Sequence, residues 1–288
     1  MDVKLLSFGF GFTAEEVARQ NPGWSVLGTR RHVPEDSSSI PDNVSLLTFD
    51  GLTPIPDFAE RAADITHILL SIPPTDQGDP VLSVMGEQLA RLPHLRWVGY
   101  LSTTGVYGNL DGGWADEETP YNPSGVRGKR RVDAELAWLA AGLDQGLPVH
   151  VFRLPGIYGP GRNQLVSLQQ GKARRVVKDG QVFSRIHVSD LASILSASMR
   201  QPSPGRAYNV ADDLPAPPQD VVSYAAELLG MDPPPVQDFD SADLTPMARS
   251  FYSDSKRIRN DRIKSELGVK LAYPTYREGL AALYRRDF

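Results

Sequence analysis

The chain has 288 residues, no cysteine and a formal net charge of −5, with 41% hydrophobic and 23% charged residues. These values fit an ordinary globular protein, long enough for one large domain or two smaller ones. They exclude disulfides, thiol catalysis and thiolate metal ligands, and they run against a nucleic-acid binder, which carries a basic bias. Residues 3–8 form a short apolar run that predicts a strand, followed by Gly9-x-Gly11-x-x-Ala14 and a helical stretch over 15–20. Further strands are predicted at 24–27, 44–49, 65–72, 95–102 and 148–154, with helices at 58–63, 81–92 and 123–143. Residues 65–72 are a largely apolar run that ends at Pro73-Pro74, as in a parallel strand buried on both faces. This alternation predicts an α/β fold with a doubly wound parallel sheet. After about residue 155 Pro and Gly become frequent. Short strands are predicted there at 175–178, 182–187 and 207–210, and helices at 189–199, 219–229, 256–267 and 276–284.

Strand, glycine turn and helix in that order are the setting in which a dinucleotide fingerprint carries meaning. Gly9 permits the tight turn, Gly11 has no side chain to block a pyrophosphate, and Ala14 lets the helix pack closely on its strand. The helix N-terminus would then hold the phosphates. The second strand ends in Gly28-Thr29-Arg30-Arg31, where an NAD-specific protein usually carries an acidic residue for the ribose 2′-hydroxyl. Arginine accommodates a 2′-phosphate instead, so the site reads as one for NADP(H); the alternative is a chance glycine turn beside solvated arginines. The five histidines, at 32, 67, 94, 150 and 187, show no metal-ligand spacing. No apolar run approaches the ~18 residues needed to cross a bilayer. The N-terminus has no signal-peptide pattern, which makes a cytoplasmic location the expectation.

Several segments taken together resemble the extended short-chain dehydrogenase/reductase superfamily, the NAD-dependent epimerase/dehydratase group. They are the Gly9 fingerprint, residues 101–108 (LSTTGVYG), 153–161 (RLPGIYGPG), 186–192 (IHVSDLA) and 208–210 (YNV), and the C-terminal Ser255-Lys256…Glu266-Leu267-Gly268. Their order and spacing match over nearly the whole chain. The resemblance implies a Rossmann-type domain of residues 1–155 plus 186–212. It also implies a smaller α/β substrate domain built from 156–185 and 213–288. Gly9, Phe10, Gly11, Phe12, Thr13 and Ala14, with Thr29, Arg30 and Arg31, would then hold the phosphates and the adenosine 2′-phosphate. Asp50 would approach the adenine, and Ile72 and Pro73 would lie beside the nicotinamide ribose.

The superfamily's reaction needs a Tyr that exchanges a proton with the substrate oxygen, a Lys four residues later, and a Ser or Thr hydroxyl on the same oxygen. Thr103 falls at the hydroxyl position. On the long helix, counting back from Glu135 puts Arg131 where the Lys belongs and Arg127 where the Tyr belongs. A guanidinium stays protonated and is a poor general acid or base, although it can polarise a carbonyl or hold an anion. The run Arg127-x-Lys129-Arg130-Arg131 is therefore either solvated charge partnered by Asp133 and Glu135, or an anion site for cofactor or substrate. Tyr107, five residues beyond the predicted strand end, is a second candidate proton donor. By the same resemblance Gly156 stands where an Asn often positions a nucleotide-sugar, and Arg185 stands two residues from the usual diphosphate-binding Arg, on the same strand face.

Two functions are compatible with this pattern. One is an oxidoreductase, epimerase or dehydratase acting on a small carbonyl or alcohol. The other is a non-catalytic NADP(H)-binding protein that uses the cofactor as a redox signal or structural ligand. The expected partner in either case is a small molecule rather than nucleic acid or membrane, and the expected state is a monomer or homodimer.

Overall fold

The computed structural model describes residues 2–34, 36, 38 and 40–288. In chain order the elements are β1 (Lys4–Phe8), α1 (Phe12–Gln20), β2 (Ser25–Arg30), β3 (Val44–Thr48), α2 (Phe58–Arg61), β4 (His67–Leu70), α3 (Pro80–Ala90) and β5 (Trp97–Thr103). A 3₁₀ turn over Thr104–Tyr107 follows β5, then β6 (Trp114–Ala115), α4 (Val126–Gln145), β7 (Val149–Leu154) and β8 (Gly156–Tyr158). Next come α5 (Gln164–Gln169), β9 (Arg175–Val177), β10 (Arg185–His187), α6 (Val188–Arg200), β11 (Ala207–Asn209) and α7 (Pro218–Leu228). The chain closes with β12 (Val236–Asp238), α8 (Pro246–Phe251), β13 (Arg257–Ile258), α9 (Asp261–Leu267) and α10 (Tyr276–Asp287).

Seven strands form one parallel sheet in the order β11-β7-β5-β4-β1-β2-β3. Strand order reverses at β1: the chain moves outward through β2 and β3, then returns to lay β4 on the other side. In such sheets the crevice at the carboxyl ends of the strands flanking the reversal is where ligands bind. All residues of β4 and β7 are buried, which is why both strands are mostly apolar. One sheet face packs on α1 and α6 through Val17, Ile194 and Leu195. The other packs on α2, α3 and α4 through Phe58, Met85 and Trp138. Local chemistry sets the helix ends. Asp79 caps α3, with Pro80 at its first turn, and Gly146 closes α4 at φ 72°, a conformation that costs glycine little.

A smaller core joins α5, α7 and α10 around Leu165, Val222 and Leu280. The predicted helix over 256–267 is corrected here: residues 256–260 are not helical, with a two-residue strand at Arg257–Ile258, and the helix begins only at Asp261. Lys256, Ile258 and Asn260 are buried while Arg257 and Arg259 face outward, a period of two. Arg257 and Ile258 pair with Trp114 and Ala115 of β6. The predicted strand over 182–187 is regular only at Arg185–His187, with Phe183 making an isolated bridge to Ala216.

Candidate functional site

The glycine turn is built as its sequence implies. Gly9 has φ +86°, and a β-carbon there would come 3.1 Å from Ile72 Cγ1, so the turn lies against the end of β4. The Gly9 N–H donates to Thr29 Oγ1 at 3.0 Å and the Phe10 N–H to the Thr29 carbonyl at 2.8 Å. Gly9, Thr29 and Ile72 are thus brought together. Gly11 begins α1 with extended backbone and no side-chain cap, and a β-carbon placed on it meets nothing within 4 Å. The first N–H groups of α1 therefore open onto free space, bounded by buried Thr13 and Ala14. That is the geometry that receives a phosphate, and these residues fit a dinucleotide pyrophosphate.

At the end of β2 the arrangement has a feature the sequence did not show. Phe10 is buried with its ring against Gly28, where even a β-carbon would come within 2.7 Å of the ring. Arg30 lies over that ring, donates Nε to the Phe10 carbonyl at 2.9 Å and pairs through Nη2 with Glu15 at 2.6 Å. Arg31 and Pro73 are exposed. Asp50 is exposed too, and its carboxylate accepts the Leu52 and Thr53 N–H groups, hydrogen bonds that hold its pKa below the usual carboxylate range. Phe12 lies under the Arg162 guanidinium, 5.6 Å away.

Two cavities meet beyond the carboxyl end of β5. The first, about 860 Å³, has Pro73 and Pro74 on one side and Arg127, Arg130 and Arg131 of α4 on another. The second, about 610 Å³, is bounded by Arg162, Arg174 and Arg185 together with Gly156, Tyr252 and Lys256. Thr103 lines both. Its Oγ1 accepts the Gly105 N–H at 3.1 Å, which leaves the hydroxyl proton free to be donated. Arg185 is half-buried; its Nη1 donates to the Phe183 carbonyl at 2.8 Å, and burial lowers its pKa while Asp212 opposes that shift. Asp212 is itself buried, which pushes its carboxyl up to about 8.

Of the two α4 arginines, Arg127 is exposed on the cavity wall. Arg131 donates to the Leu101 carbonyl at 2.9 Å and to the Tyr100 hydroxyl at 3.2 Å. Glu135, expected as a surface partner of the arginine run, lies fully buried and pairs with Arg153 at 2.6 Å. Tyr107 is likewise corrected as a proton donor. It is completely buried, its hydroxyl donates to Asn209 at 2.7 Å and accepts from Arg153 at 2.8 Å, and burial raises its pKa to about 12. It packs behind the 3₁₀ turn, away from the cleft. Sequence reasoning missed Arg162, Arg174, Asp254 and Lys256 on the cavity walls. A signal was present in the chain's one Tyr-x-x-x-Lys, Tyr252 to Lys256, which lies outside the long helix. Among the described residues no group of three or more His, Asp or Glu is placed to hold a metal ion, and no helix is long and apolar enough to cross a membrane.

A model of the NAD dependent epimerase/dehydratase family matches residues 82–211, a span that includes β5, α4 and the Thr103 turn. Over that span the chain is similar to the NAD dependent epimerase/dehydratase family. The whole chain is similar to a functionally unknown conserved protein from Silicibacter pomeroyi DSS. The two are 53% identical over 99% of both chains, with a TM-score of 0.88. It is 29% identical to Protein YeeZ of Escherichia coli (strain K12), over 88% of this chain and 89% of that one. The dTDP-glucose 4,6-dehydratase of Bacillus anthracis, solved in complex with NAD, shares the fold at TM-score 0.79 and 19% identity, over 98% and 96% of the two chains.

Proposed function

We propose that the protein is an NAD(P)(H)-dependent oxidoreductase of the epimerase/dehydratase type, acting on a small carbonyl or alcohol, with NADP(H) preferred over NAD(H). The observation that carries this reading is the position of Thr103. Its hydroxyl stands on the wall shared by a cavity that begins at the end of β4 and one walled by arginines. The first N–H groups of α1 at Gly11 would hold the pyrophosphate, with Gly9, Thr29 and Ile72 shaping the turn beneath it. When bound, the nicotinamide ring supplies hydride to a carbonyl carbon or accepts it from an alcohol carbon. Thr103 would donate its free proton to the substrate oxygen, orienting it and stabilising the charge that develops there. Arg162 and Arg185 would hold an anionic group of the substrate farther out, as guanidinium groups do for carboxylate or phosphate.

The preference for NADP(H) rests on Arg30 and Arg31. Arg30 is fixed by Phe10 and Glu15 at the end of β2, where a 2′-phosphate would compete with Glu15 for the same guanidinium. Replacing Arg30 by Ala should weaken NADPH binding at least tenfold and NADH binding far less, read by nicotinamide fluorescence titration. Equal losses would remove Arg30 as the selector. Turnover is tested by saturating the protein with NADPH and following its absorbance against a panel of carbonyl compounds and nucleotide-sugars. Consumption that drops about 100-fold in Thr103→Ala is the expected result. Tight NADPH binding with no consumption across the panel would favour the non-catalytic reading instead.

A further inference from the structure

A carbonyl oxygen that becomes a hydroxyl needs a proton, and the ionisable side chains of α4 that line the cavity are all arginines, Arg127, Arg130 and Arg131. A guanidinium is a poor proton donor, and Arg131 is already bonded to β5. Tyr107 is buried behind the turn. The opposite wall is different. Residues lining both cavities are Thr103 and Gly105 from the sheet and Ser250, Phe251 and Asp254 from the C-terminal segment. Lys256 joins them in the arginine-walled cavity. Its side chain is 10% exposed, and Nζ donates to the Gly108 carbonyl at 2.6 Å and to Asp254 Oδ2 at 3.1 Å. An ammonium has three protons, so one remains uncommitted.

The position of Lys256 is set from both sides. The Ser255 N–H donates to Asn109 Oδ1 at 2.8 Å, and the Arg257 N–H donates to the Gly113 carbonyl at 2.8 Å. Gly108, Asn109 and Gly113 belong to the loop that runs directly on from the Thr103 turn. Lys256 is therefore tied to the same piece of chain that holds Thr103, although 153 positions separate them in sequence. We propose that Lys256, held by Asp254, is the proton-transfer residue of this cleft. In the reducing direction a proton leaves Nζ for the substrate oxygen as hydride from the reduced nicotinamide cofactor reaches the carbon. The C=O π bond is replaced by C–H and O–H bonds, and the neutral amine regains a proton from solvent. Oxidation of the alcohol runs the same transfers in reverse.

The charges facing Lys256 suit this task. Burial lowers the lysine pKa from its ordinary value, while Asp254 on its own segment opposes that shift and favours the ammonium. Arg162, Arg174 and Arg185 line the same cavity as Lys256.

The inference rests on the oxidoreductase reading, and two readouts keep the failures apart. The first is NADPH oxidation with the carbonyl panel in Lys256→Met and Lys256→Arg, alongside NADPH titration and thermal melts. Lys256→Met should lower kcat about 100-fold or more with NADPH affinity within threefold. Lys256→Arg should restore the melting temperature, because it keeps the charge and donors, without restoring kcat. An arginine variant with kcat within threefold of the native protein overturns the proposal. The second readout is trace labelling of native-protein amines with acetic anhydride across pH, quantified by peptide mass spectrometry. Lys256 should label with a midpoint below those of the exposed lysines, and coincidence with them overturns the proposal even if no compound on the panel is a substrate. A native protein that oxidises NADPH with nothing on the panel counts against the enzyme reading alone.

Discussion

Replacing Arg153 by Met should be among the most damaging single changes in this protein, although Arg153 lines neither cavity beside Thr103. The side chains of Arg153 and Glu135 are 5% and 0% exposed. Arg153 makes five hydrogen bonds: two to Glu135 Oε1 at 3.0 and 2.6 Å, one each to the Tyr107 and Tyr121 hydroxyls at 2.8 Å, and one to the Glu117 carbonyl at 3.0 Å. Met fills a similar length but leaves the Glu135 carboxylate without its cation. Only the hydroxyls of Ser102 and Tyr121 remain to it, at 2.7 and 2.6 Å. Breaking a buried pair from one side costs about 3–5 kcal/mol. At roughly 2–4 °C per kcal/mol for a chain of this size, the melting temperature should fall by roughly 6–20 °C. Removing the carboxylate as well, in Glu135→Gln/Arg153→Met, should cost less than the sum of the two single changes, because no charge is then stranded. Reversible urea melts of the four proteins measure both quantities. A loss below about 1 kcal/mol in Arg153→Met, or a double variant no better than additive, would refute the argument that this pair holds α4 and the Thr103 turn to the sheet.

Gly11→Leu should leave stability within about 0.5 kcal/mol, because its backbone is extended and its β-carbon position open. It should weaken NADPH binding more than tenfold by filling the space at the α1 terminus, and unchanged affinity would remove the phosphate site from that terminus. Asp212 gives a pH dependence of definite sign. Burial holds its folded pKa at about 8, above the 3.8 of a free carboxyl, so between those values the folded protein binds a proton that the unfolded chain has released. The stability this group contributes is full below about pH 4 and is lost as pH rises through 8. Melting curves from pH 5 to 9 should therefore fall more steeply for the native protein than for Asp212→Asn, and parallel slopes would assign the dependence elsewhere.

The sheet could be read from sequence because strands buried on both faces leave largely apolar runs, as at 65–72, and the glycine turn marks where the first of them ends. Thr103 was accessible for a related reason: it sits where an apolar strand stops, at the carboxyl edge where ligands collect. The opposite wall was hidden. Residues 256–260 contain Lys and Arg, good helix formers, and their strand partner Trp114–Ala115 lies more than 140 positions away. Pairing over that distance outweighs local propensity, and with it went the position of Lys256. Glu135 and Tyr107 misled for the complementary reason. A carboxylate on a helix reads as a surface partner, and a tyrosine in a glycine-rich turn as a candidate proton donor, until Arg153 of β7 is seen to pair with one and hydrogen-bond the other in the interior.

The charge around the cleft runs opposite to that of the whole protein. Net charge is −5, yet the two cavities carry six arginines, at 127, 130, 131, 162, 174 and 185, against a single carboxylate, Asp254, among the described lining residues. A concave site of one sign, walled by low-dielectric protein, concentrates ligands of the other sign. Its attraction weakens as salt shortens the screening length. The same field that draws in an anionic dinucleotide or an anionic substrate also disfavours a second cation between the arginine walls. On Lys256 itself burial lowers the pKa, and Asp254 beside it opposes that shift. The arginines on α4 then have a physical role without performing acid–base chemistry: they give the cavity that Thr103 lines a positive wall toward which an anionic ligand is drawn.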